Sequence, residues 1–445
     1  MISEDSKPIP GVDLKFKEIK ELKTIDTKDG IRHYYVTLVN RGIICKQCGK
    51  FTSKVKDYRI RNIKHTKDIS ITYKARRLVC PMCNKSEMEV NPFLSKYEKI
   101  SDYAIEYILK ELKKYNSTFS ECANDLGIST GKVIEVFDSY VQMPRLEFRE
   151  VLCVDEFYFS RHSNSKYAFI IVARNGDVID VLPSRKKTYL LDYFKNIPLE
   201  ERLKVKYVNM DMYDIYRDVV HRRFKNALIA VDPFHSSKLI RDAADKIRCK
   251  FLHRYEDNKE SDEYYLLKNY KKFFKRTKDD PHGDKLRKNH HFNTELSNNE
   301  LIRKIEAIDS ELQYAIYFSV KFEQINHMYG KHTREEIEKE LNEFIDICYI
   351  SNLTHFIRVA NTLSNWKEEI LNSFISYKGQ RLTNTMAENR NNYVKKILCV
   401  SNGYQNFKRC RNRIMYVETQ SAKPLEEKSN IDIVRHIKKK QNKAK

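Results

Sequence analysis

The chain has 445 residues, of which 41% are hydrophobic and 32% charged, a balance typical of a soluble protein with a sizeable core. Its 83 lysines and arginines against 61 acids give a net charge of +22, which predicts a polyanionic partner. We find no apolar run long enough to span a bilayer and no apolar signal-peptide core at the start. We therefore expect no membrane association and a nucleic-acid partner in the cytoplasm.

Four of the ten cysteines form two Cys-x-x-Cys motifs, Cys45 with Cys48 and Cys80 with Cys83. This spacing can place four thiolates tetrahedrally around Zn²⁺. The alternatives are two unligated pairs, which the specificity of the pattern disfavours, and the replacement of one thiolate by His65. Basic residues surround the motifs, and we expect Arg76 and Arg77 to contact the phosphates of DNA. Residues 1–95 are therefore predicted to form a zinc-binding domain.

Downstream of the cysteines, the apolar residues change to helical spacing. Gly127 interrupts this pattern, and Ser129 or Thr130 can cap the helix that follows. Helix, short turn and helix is the arrangement of a DNA-binding helix-turn-helix, although an ordinary helical hairpin has the same pattern. The basic region upstream favours DNA binding. We predict a helix-turn-helix domain at 96–148, with Thr130 and Lys132 contacting DNA.

Three runs rich in Val, Ile, Phe and Tyr between residues 150 and 182 predict a three-stranded antiparallel meander. The second and third runs are joined through Asn175 and Gly176, which suit a tight hairpin turn. Within the first run, Asp155 lies among apolar residues. A buried strand carboxylate must be paired, protonated or bound to a cation, and a salt bridge to a nearby base is the simplest alternative to a functional role.

After the meander, strands alternate with helices, which predicts a mixed sheet with helices on its faces. One predicted strand, 205–210, ends at Asp211, and the next, 227–231, ends at Asp232. Chemistry in such sheets gathers at strand ends. Asp155 and Asp211 can therefore converge on one divalent cation or share a proton.

Four sequence strings carry a resemblance to a known family. They are CVDEF around Asp155, VNMDMYDIY around Asp211, AVDPFH ending at His235, and TNTMAENRNNYVKK followed by NGYQNFKRCRNRI near the C-terminus. In this joint order, the chain resembles the ISL-three family of bacterial insertion-sequence transposases, which are DDE transposases with an RNase H-like core. The zinc motifs and the predicted helix-turn-helix lie where that family carries its DNA-binding region.

The resemblance implies the fold and the domain limits. We expect an α/β catalytic domain at 149–420, built as an RNase H-like mixed sheet with an all-helical insertion at about 255–372. The zinc-binding domain and the helix-turn-helix domain would precede it. A basic tail at 421–445 would follow it.

The resemblance also implies the site. Asp155, Asp211 and Glu388 would hold Mg²⁺ or Mn²⁺ and catalyse phosphoryl transfer on DNA, with Asp232 and His235 in supporting roles. For Asp232 and His235, an ordinary cap at the end of a strand is the alternative. This family commonly has glycine directly after the catalytic glutamate, whereas this chain has asparagine.

Glu388 lies one turn into a predicted helix. Asn392 and Lys395 follow at i+4 and i+7 on the same face, an arrangement suited to metal binding beside a phosphodiester. We expect Asn392 to support the site, and Lys395 and Lys396 to contact DNA. A solvated helical glutamate is the alternative.

The predicted function is that of a DDE transposase that binds terminal inverted repeats and target DNA as a homo-oligomer and cleaves and joins strands. Two alternatives are a transposase-derived DNA-binding regulator without catalysis and an RNase H-like nuclease without strand transfer. The three acids disfavour the regulator, whereas the sequence leaves nuclease and transposase open. The expected location is the bacterial cytoplasm, at the nucleoid.

Overall fold

The structure is a computed structural model that describes residues 8–94, 98–159, 165–275 and 284–418. The predicted basic tail at 421–445 lies outside the described residues. The described chain divides into two compact units: residues up to Pro144 together with those from Tyr393 onward, and Arg145–Asn392. Across these residues, no helix combines the length and the apolarity needed to cross a bilayer.

Seven strands open the first unit: β1 (Ile19–Asp26), β2 (Arg32–Leu38), β3 (Ile43–Ile44), β4 (Phe51–Thr52), β5 (Val55–Lys64), β6 (Ile69–Val79) and β7 (Ser86–Met88). Five of them form a sheet in the order β1-β2-β6-β5, with β7 also paired to β6, while β3 pairs with β4. Alternate residues of β2 and β6, including Tyr34, Val36, Ile71 and Tyr73, face a common core.

Three helices follow in this unit: α1 (Asp102–Glu111), α2 (Phe119–Leu126) and α3 (Thr130–Tyr140). Gly127 ends α2 in the left-handed conformation at φ 60°. The hydroxyl of Ser129 then accepts from the backbone N–H of Lys132, so Ser129 rather than Thr130 caps α3. The apolar faces of the three helices share one core.

His65 joins the sheet to the helices within this unit. Its imidazole is buried, with Nδ1 2.9 Å from Ser101 Oγ and Nε2 2.7 Å from the carbonyl oxygen of Pro10. Ser101 in turn caps α1. The alternative that His65 replaces a cysteine as a metal ligand is therefore wrong, because its two ring nitrogens are hydrogen-bonded to Ser101 and Pro10.

Five strands form the central sheet of the second unit: β8 (Val151–Tyr158), β9 (Tyr167–Ala173), β10 (Val178–Leu182), β11 (Tyr207–Met210) and β12 (Leu228–Val231). Their order is β10-β9-β8-β11-β12. The first three are antiparallel neighbours, which confirms the predicted meander, and β11 runs parallel to β8 and β12. Gly176, at φ 90°, permits the turn between β9 and β10.

Helices accompany this sheet: α4 (Lys187–Lys195), α5 (Leu199–Leu203), α6 (Asp214–Arg223) and α7 (Pro233–Arg254). The first two lie between β10 and β11, α6 lies between β11 and β12, and α7 follows β12. Their apolar faces and the inner residues of the strands belong to one large core. The predicted mixed sheet with accompanying helices is therefore confirmed.

A mainly helical region extends from α7: α8 (Asp262–Asn269), α9 (Asn298–Glu306), α10 (Ser310–Asn326), α11 (Arg334–Ile350), α12 (Thr354–Asn365) and α13 (Lys367–Asn372). The expectation that it is all-helical is wrong, because β13 (Arg287–Asn289) pairs with β14 (Thr294–Leu296). Asn293 takes the left-handed conformation at φ 49°, and the side chain of Asn289 accepts from the backbone N–H of His291. These local contacts form the turn between β13 and β14, and a search for helical periodicity does not detect such a turn.

The last elements are β15 (Ser376–Tyr377), β16 (Gln380–Arg381), α14 (Thr385–Val400) and α15 (Phe407–Glu418). The limit between the two units falls within α14. Helix α15 packs into the core of α1, α2 and α3, where Tyr416 is buried. Its Arg413 donates to the carbonyl groups at the end of α1 and just beyond. The N-terminal helices are thus completed by a helix distant in sequence.

Candidate active site

The three predicted acids come from three elements of the second unit. Asp155 lies in β8, Asp211 directly follows β11, and Glu388 lies in the first turn of α14. Because β11 pairs in parallel with β8, with Asn209 opposite Cys153, Asp155 and Asp211 occupy matching positions on neighbouring strands.

Helix α7 brings a histidine to the same place. His235 lies in its first turn, with Nε2 3.1 Å from Asp211 Oδ1 and 3.8 Å from Glu388 Oε1. Asp232 caps the helix by accepting from the backbone N–H of Phe234 at 2.8 Å. Its other oxygen accepts from the backbone N–H of Asn384 at 2.5 Å. Asp232 therefore joins the starts of α7 and α14, while His235 lies between two acids.

The electrostatics of the two strand acids disfavour their charged forms in the metal-free protein. Burial raises the pKa of Asp155 to about 7, and the nearby charge of Asp211 adds to this effect. Burial likewise raises the pKa of Asp211 to about 7, followed by the charges of Glu156 and Asp232. Carboxylates in this state favour a bound cation or a retained proton.

Glu156 is a fourth acid at the site, and the sequence prediction missed it. Its two oxygens accept from Arg185 and from the hydroxyl of Tyr216, each at 2.6 Å. With Asp211 and His235, it lines an open cleft of about 350 Å³. Its position directly after Asp155 was the available signal. Because a guanidinium pairs with its carboxylate, Glu156 is a poorer candidate ligand than Asp155, whose two oxygens accept from the neutral amide of Asn391 and from a backbone N–H.

Two asparagines of α14 and its approach also reach the acids. Asn391 is buried and donates to Asp155 Oδ2 at 2.5 Å. Asn384 is buried and lies with Nδ2 3.4 Å from Asp211 Oδ1. Asn392, which the sequence pattern favoured, is exposed one position further along the helix. Asn391, three residues after Glu388, therefore contacts Asp155, whereas the sequence pattern predicted that Asn392, four residues after Glu388, would support the site.

The residues predicted to contact DNA are placed unequally. Arg76 is 2% exposed and bonds Glu89 and the carbonyl of Leu38, so its guanidinium is not presented to solvent. Arg77 pairs with Asp57 and remains partly exposed. Thr130 and Lys132 open α3, where Lys132 is half-buried against Glu98 at 2.9 Å and Glu135 at 3.1 Å. Lys395 and Lys396 are exposed on α14.

The four cysteines of the first unit form a compact cluster. Their sulfur atoms all lie within 4.8 Å of one another, and the Cys45–Cys83 and Cys48–Cys80 pairs are each 3.5 Å apart. The backbone N–H groups of Cys83 and Met82 lower the pKa of Cys80 to about 7. Among the described residues, no other group of three or more His, Cys, Asp and Glu side chains is gathered as tightly, the three acids included.

The chain is similar to known transposases. A family model described as "Transposase", that of the ISL-three group, matches residues 152–414 and so includes all three acids. The transposase for insertion sequence element IS1001 of Bordetella parapertussis is 24% identical over 222 residues, which cover 48% of this chain and 54% of that protein. The match thus spans about half the length of that relative. Because the family model covers more than half of the chain, the protein belongs to the ISL-three family of transposases.

Proposed function

We propose that the protein is a DDE transposase that binds the ends of its element and cleaves and joins DNA strands with Asp155, Asp211 and Glu388. The observation that carries the proposal is the meeting of Asp211 and Glu388 around His235, with Asp155 at the position beside Asp211 on the neighbouring strand. The strand order β10-β9-β8-β11-β12, with an antiparallel meander followed by two parallel strands, supports an RNase H-like core.

The donor set fits a divalent cation. Asp155 and Asp211 are largely buried, and burial together with neighbouring negative charge raises the pKa of each to about 7. Such carboxylates are oxygen ligands of the kind that Mg²⁺ and Mn²⁺ prefer. Bound ions would activate a water or a 3′-hydroxyl and neutralise charge on the phosphodiester. Asp155, Asp211 and Glu388 would hold them, and His235 would orient the two acids that it contacts.

The four-cysteine cluster fits Zn²⁺. Four sulfurs within 4.8 Å of one another suit tetrahedral coordination. The metal would tie the β3–β4 loop to the loop that follows β6. We assign this sheet and helices α1 to α3 to DNA binding, with partly exposed Arg77 and exposed Lys395 and Lys396 as phosphate contacts and the start of α3 as the helix-turn-helix recognition segment.

The test is strand cleavage and joining with DNA that carries the repeats flanking the gene. Asp155→Asn, Asp211→Asn and Glu388→Gln nearly preserve shape but remove a charge, so each should lower both activities at least roughly 10³-fold. Affinity for the DNA ends should stay within about twofold, because the acids act on the reacting phosphate. Asp242→Asn is the matched control, since Asp242 is an exposed acid that lines the same cleft.

The alternatives give different results in the same assay. Cleavage without joining would identify an RNase H-like nuclease. A wild-type protein that binds the ends yet neither cuts nor joins them would identify a regulator. If only Glu388→Gln remained active, the third acid would be misassigned.

A further inference from the structure

A buried asparagine holds the helix that carries Glu388 to the strand that carries Asp155. Asn391 is 3% exposed and lies three residues after Glu388, on the same face of α14. Its Nδ2 donates to Asp155 Oδ2 at 2.5 Å and to the carbonyl oxygen of Glu156 at 3.1 Å. One side chain therefore contacts both the acid and the backbone of its strand.

The direction of this amide follows from its neighbours. Within the described part of the chain, Asn391 Oδ1 is buried and has no hydrogen-bond partner. Turning the amide over would place that oxygen against two acceptors, the carboxylate of Asp155 and the carbonyl of Glu156. A buried acceptor without a partner costs free energy. The site bears this cost while giving Asp155 a donor.

A second asparagine, Asn384, holds the same helix at its N-terminal end. Asn384 accepts the first helical hydrogen bond from the backbone N–H of Glu388 at 3.1 Å. Its Nδ2 donates to the carbonyl oxygen of Val154 at 3.0 Å, and its own N–H donates to Asp232. The turn of α14 that bears Glu388 is thus attached to β8 on both sides, at Val154 and at Asp155.

We infer that Asn391 is a positioning residue, which orients the carboxylate of Asp155 and fixes the first turns of α14 so that Asp155 and Glu388 can bind a divalent cation together. The inference rests on the proposed function, because it takes these acids as the cation site. Partners that orient a metal ligand typically change metal affinity or activity 10- to 100-fold when they are removed.

The experiment measures Mn²⁺ binding to the full-length protein without DNA, by the electron paramagnetic resonance signal of free Mn²⁺. Asn391→Leu keeps the approximate shape, leaves the net charge unchanged and removes the donor, and it should weaken Mn²⁺ binding about tenfold or more. Asn392→Leu is the matched control, because the same change is made one residue away on the exposed face. It should leave Mn²⁺ affinity within about twofold of wild type. Thermal unfolding of each variant reports the fold separately.

Wild-type Mn²⁺ affinity in Asn391→Leu overturns the inference, whatever its melting temperature, because a merely structural role lowers stability alone. If Asn391→Leu does not fold, Asn391→Ser, which removes the amide but buries less apolar surface, is read by the same criterion. Asp155→Asn separates the two proposals. If that variant binds Mn²⁺ as well as wild type does, the cation site itself has been misplaced and the proposed function fails.

Discussion

At the scale of single residues, the site is defined by partly buried carboxylates on neighbouring strands. Arg185 and Tyr216 satisfy Glu156, whereas the partners of Asp155 and Asp211 among the described residues are amide, imidazole and backbone groups. Burial is the main cause of the raised pKa values of Asp155 and Asp211, and neighbouring negative charge adds to it. Ionisation of these carboxyls therefore lowers the stability of the metal-free protein.

The pH dependence of stability should show this effect. Between 3.8 and about 7, the carboxyl of Asp211 holds its proton more tightly in the folded protein than in the unfolded chain. Its contribution therefore becomes less favourable as pH rises through this window and stays so above it. In buffer without divalent cations, we compare the free energy of unfolding of Asp211→Asn with that of wild type. The difference in favour of the variant should grow by at least about 1 kcal/mol from pH 5 to pH 8, which corresponds to roughly 2 to 4 °C in Tm.

Trp366, which is buried in the second unit, makes unfolding of that unit measurable by fluorescence. Adding Mg²⁺ at pH 8 should stabilise wild type and leave Asp211→Asn unchanged. Asp242→Asn, on the same cleft, should follow wild type. Identical pH profiles for wild type and Asp211→Asn would show that Asp211 ionises in the folded protein as freely as in the unfolded chain.

At the scale of elements, α15 stabilises the N-terminal helices through a buried cation. The guanidinium of Arg413 donates to the carbonyl of Leu112, to that of Lys114 at 2.6 Å and to that of Ser117 at 3.0 Å. These carbonyl groups lie between the end of α1 and the start of α2. Arg409, on the same helix, instead forms a partly exposed ion pair with Asp138 at 2.7 Å.

The two arginines should therefore differ in their effect on stability. Arg413→Met removes the donor from three carbonyl groups, of which that of Leu112 is buried and the other two are partly buried, and should cost about 2 to 4 kcal/mol. Arg409→Met loses only a partly exposed ion pair and should cost less than about 1 kcal/mol. Hydrogen exchange of the α1 and α2 amides measures both. Equal protection in the two variants would mean that α15 does not support these helices.

The cysteine cluster lies in two loops, one between β3 and β4 and the other between β6 and β7. Wild-type protein should contain one Zn²⁺ per chain, and Cys45→Ser should lose it, because three thiolates and a hydroxyl bind Zn²⁺ more weakly. Elemental analysis of the purified protein gives the metal content. Cys399→Ser, an exposed cysteine of α14, is the control that should keep the ion. Zinc-free wild-type protein with an intact fold would overturn the assignment.

At the scale of the whole molecule, the net charge of +22 should make the proposed binding to DNA depend strongly on salt. Each phosphate that a lysine or arginine neutralises releases counterions, so affinity falls steeply with salt. With six or more such contacts, affinity should fall at least about 10³-fold between 50 and 200 mM salt. Titrations at several salt concentrations measure the slope of log affinity against log salt.

Substitutions at the exposed bases should reduce that slope, and a buried base provides the contrast. Lys396→Gln should lower the slope by about one, as expected for one lost phosphate contact. Arg76 is buried against Glu89, so its charge should not contribute to the slope. A slope that is the same in wild type and Lys396→Gln would remove Lys396 from the DNA-binding surface.

The sequence by itself determined much of the local structure. The Asn-Gly turn and its flanking β-branched runs determined the meander, because turn residues and a two-residue period act between near neighbours. The same holds for the glycine and serine that separate α2 from α3. The Cys-x-x-Cys spacing predicted the cluster, since two thiols three residues apart are already placed by one tight loop.

Only the tertiary structure decided which neighbouring side chains face the site. Asn391 and Asn392 are the same type of residue and are adjacent in the chain. The packing of α14 on β8 sets the rotation of the helix, which brings Asn391 to Asp155 and leaves Asn392 in solvent. The burial of Arg76 and the packing of α15 on α1 likewise depend on residues far away in the chain. Periodicity specifies which residues share a face of an element, whereas the direction of that face depends on contacts that form only when the chain has folded.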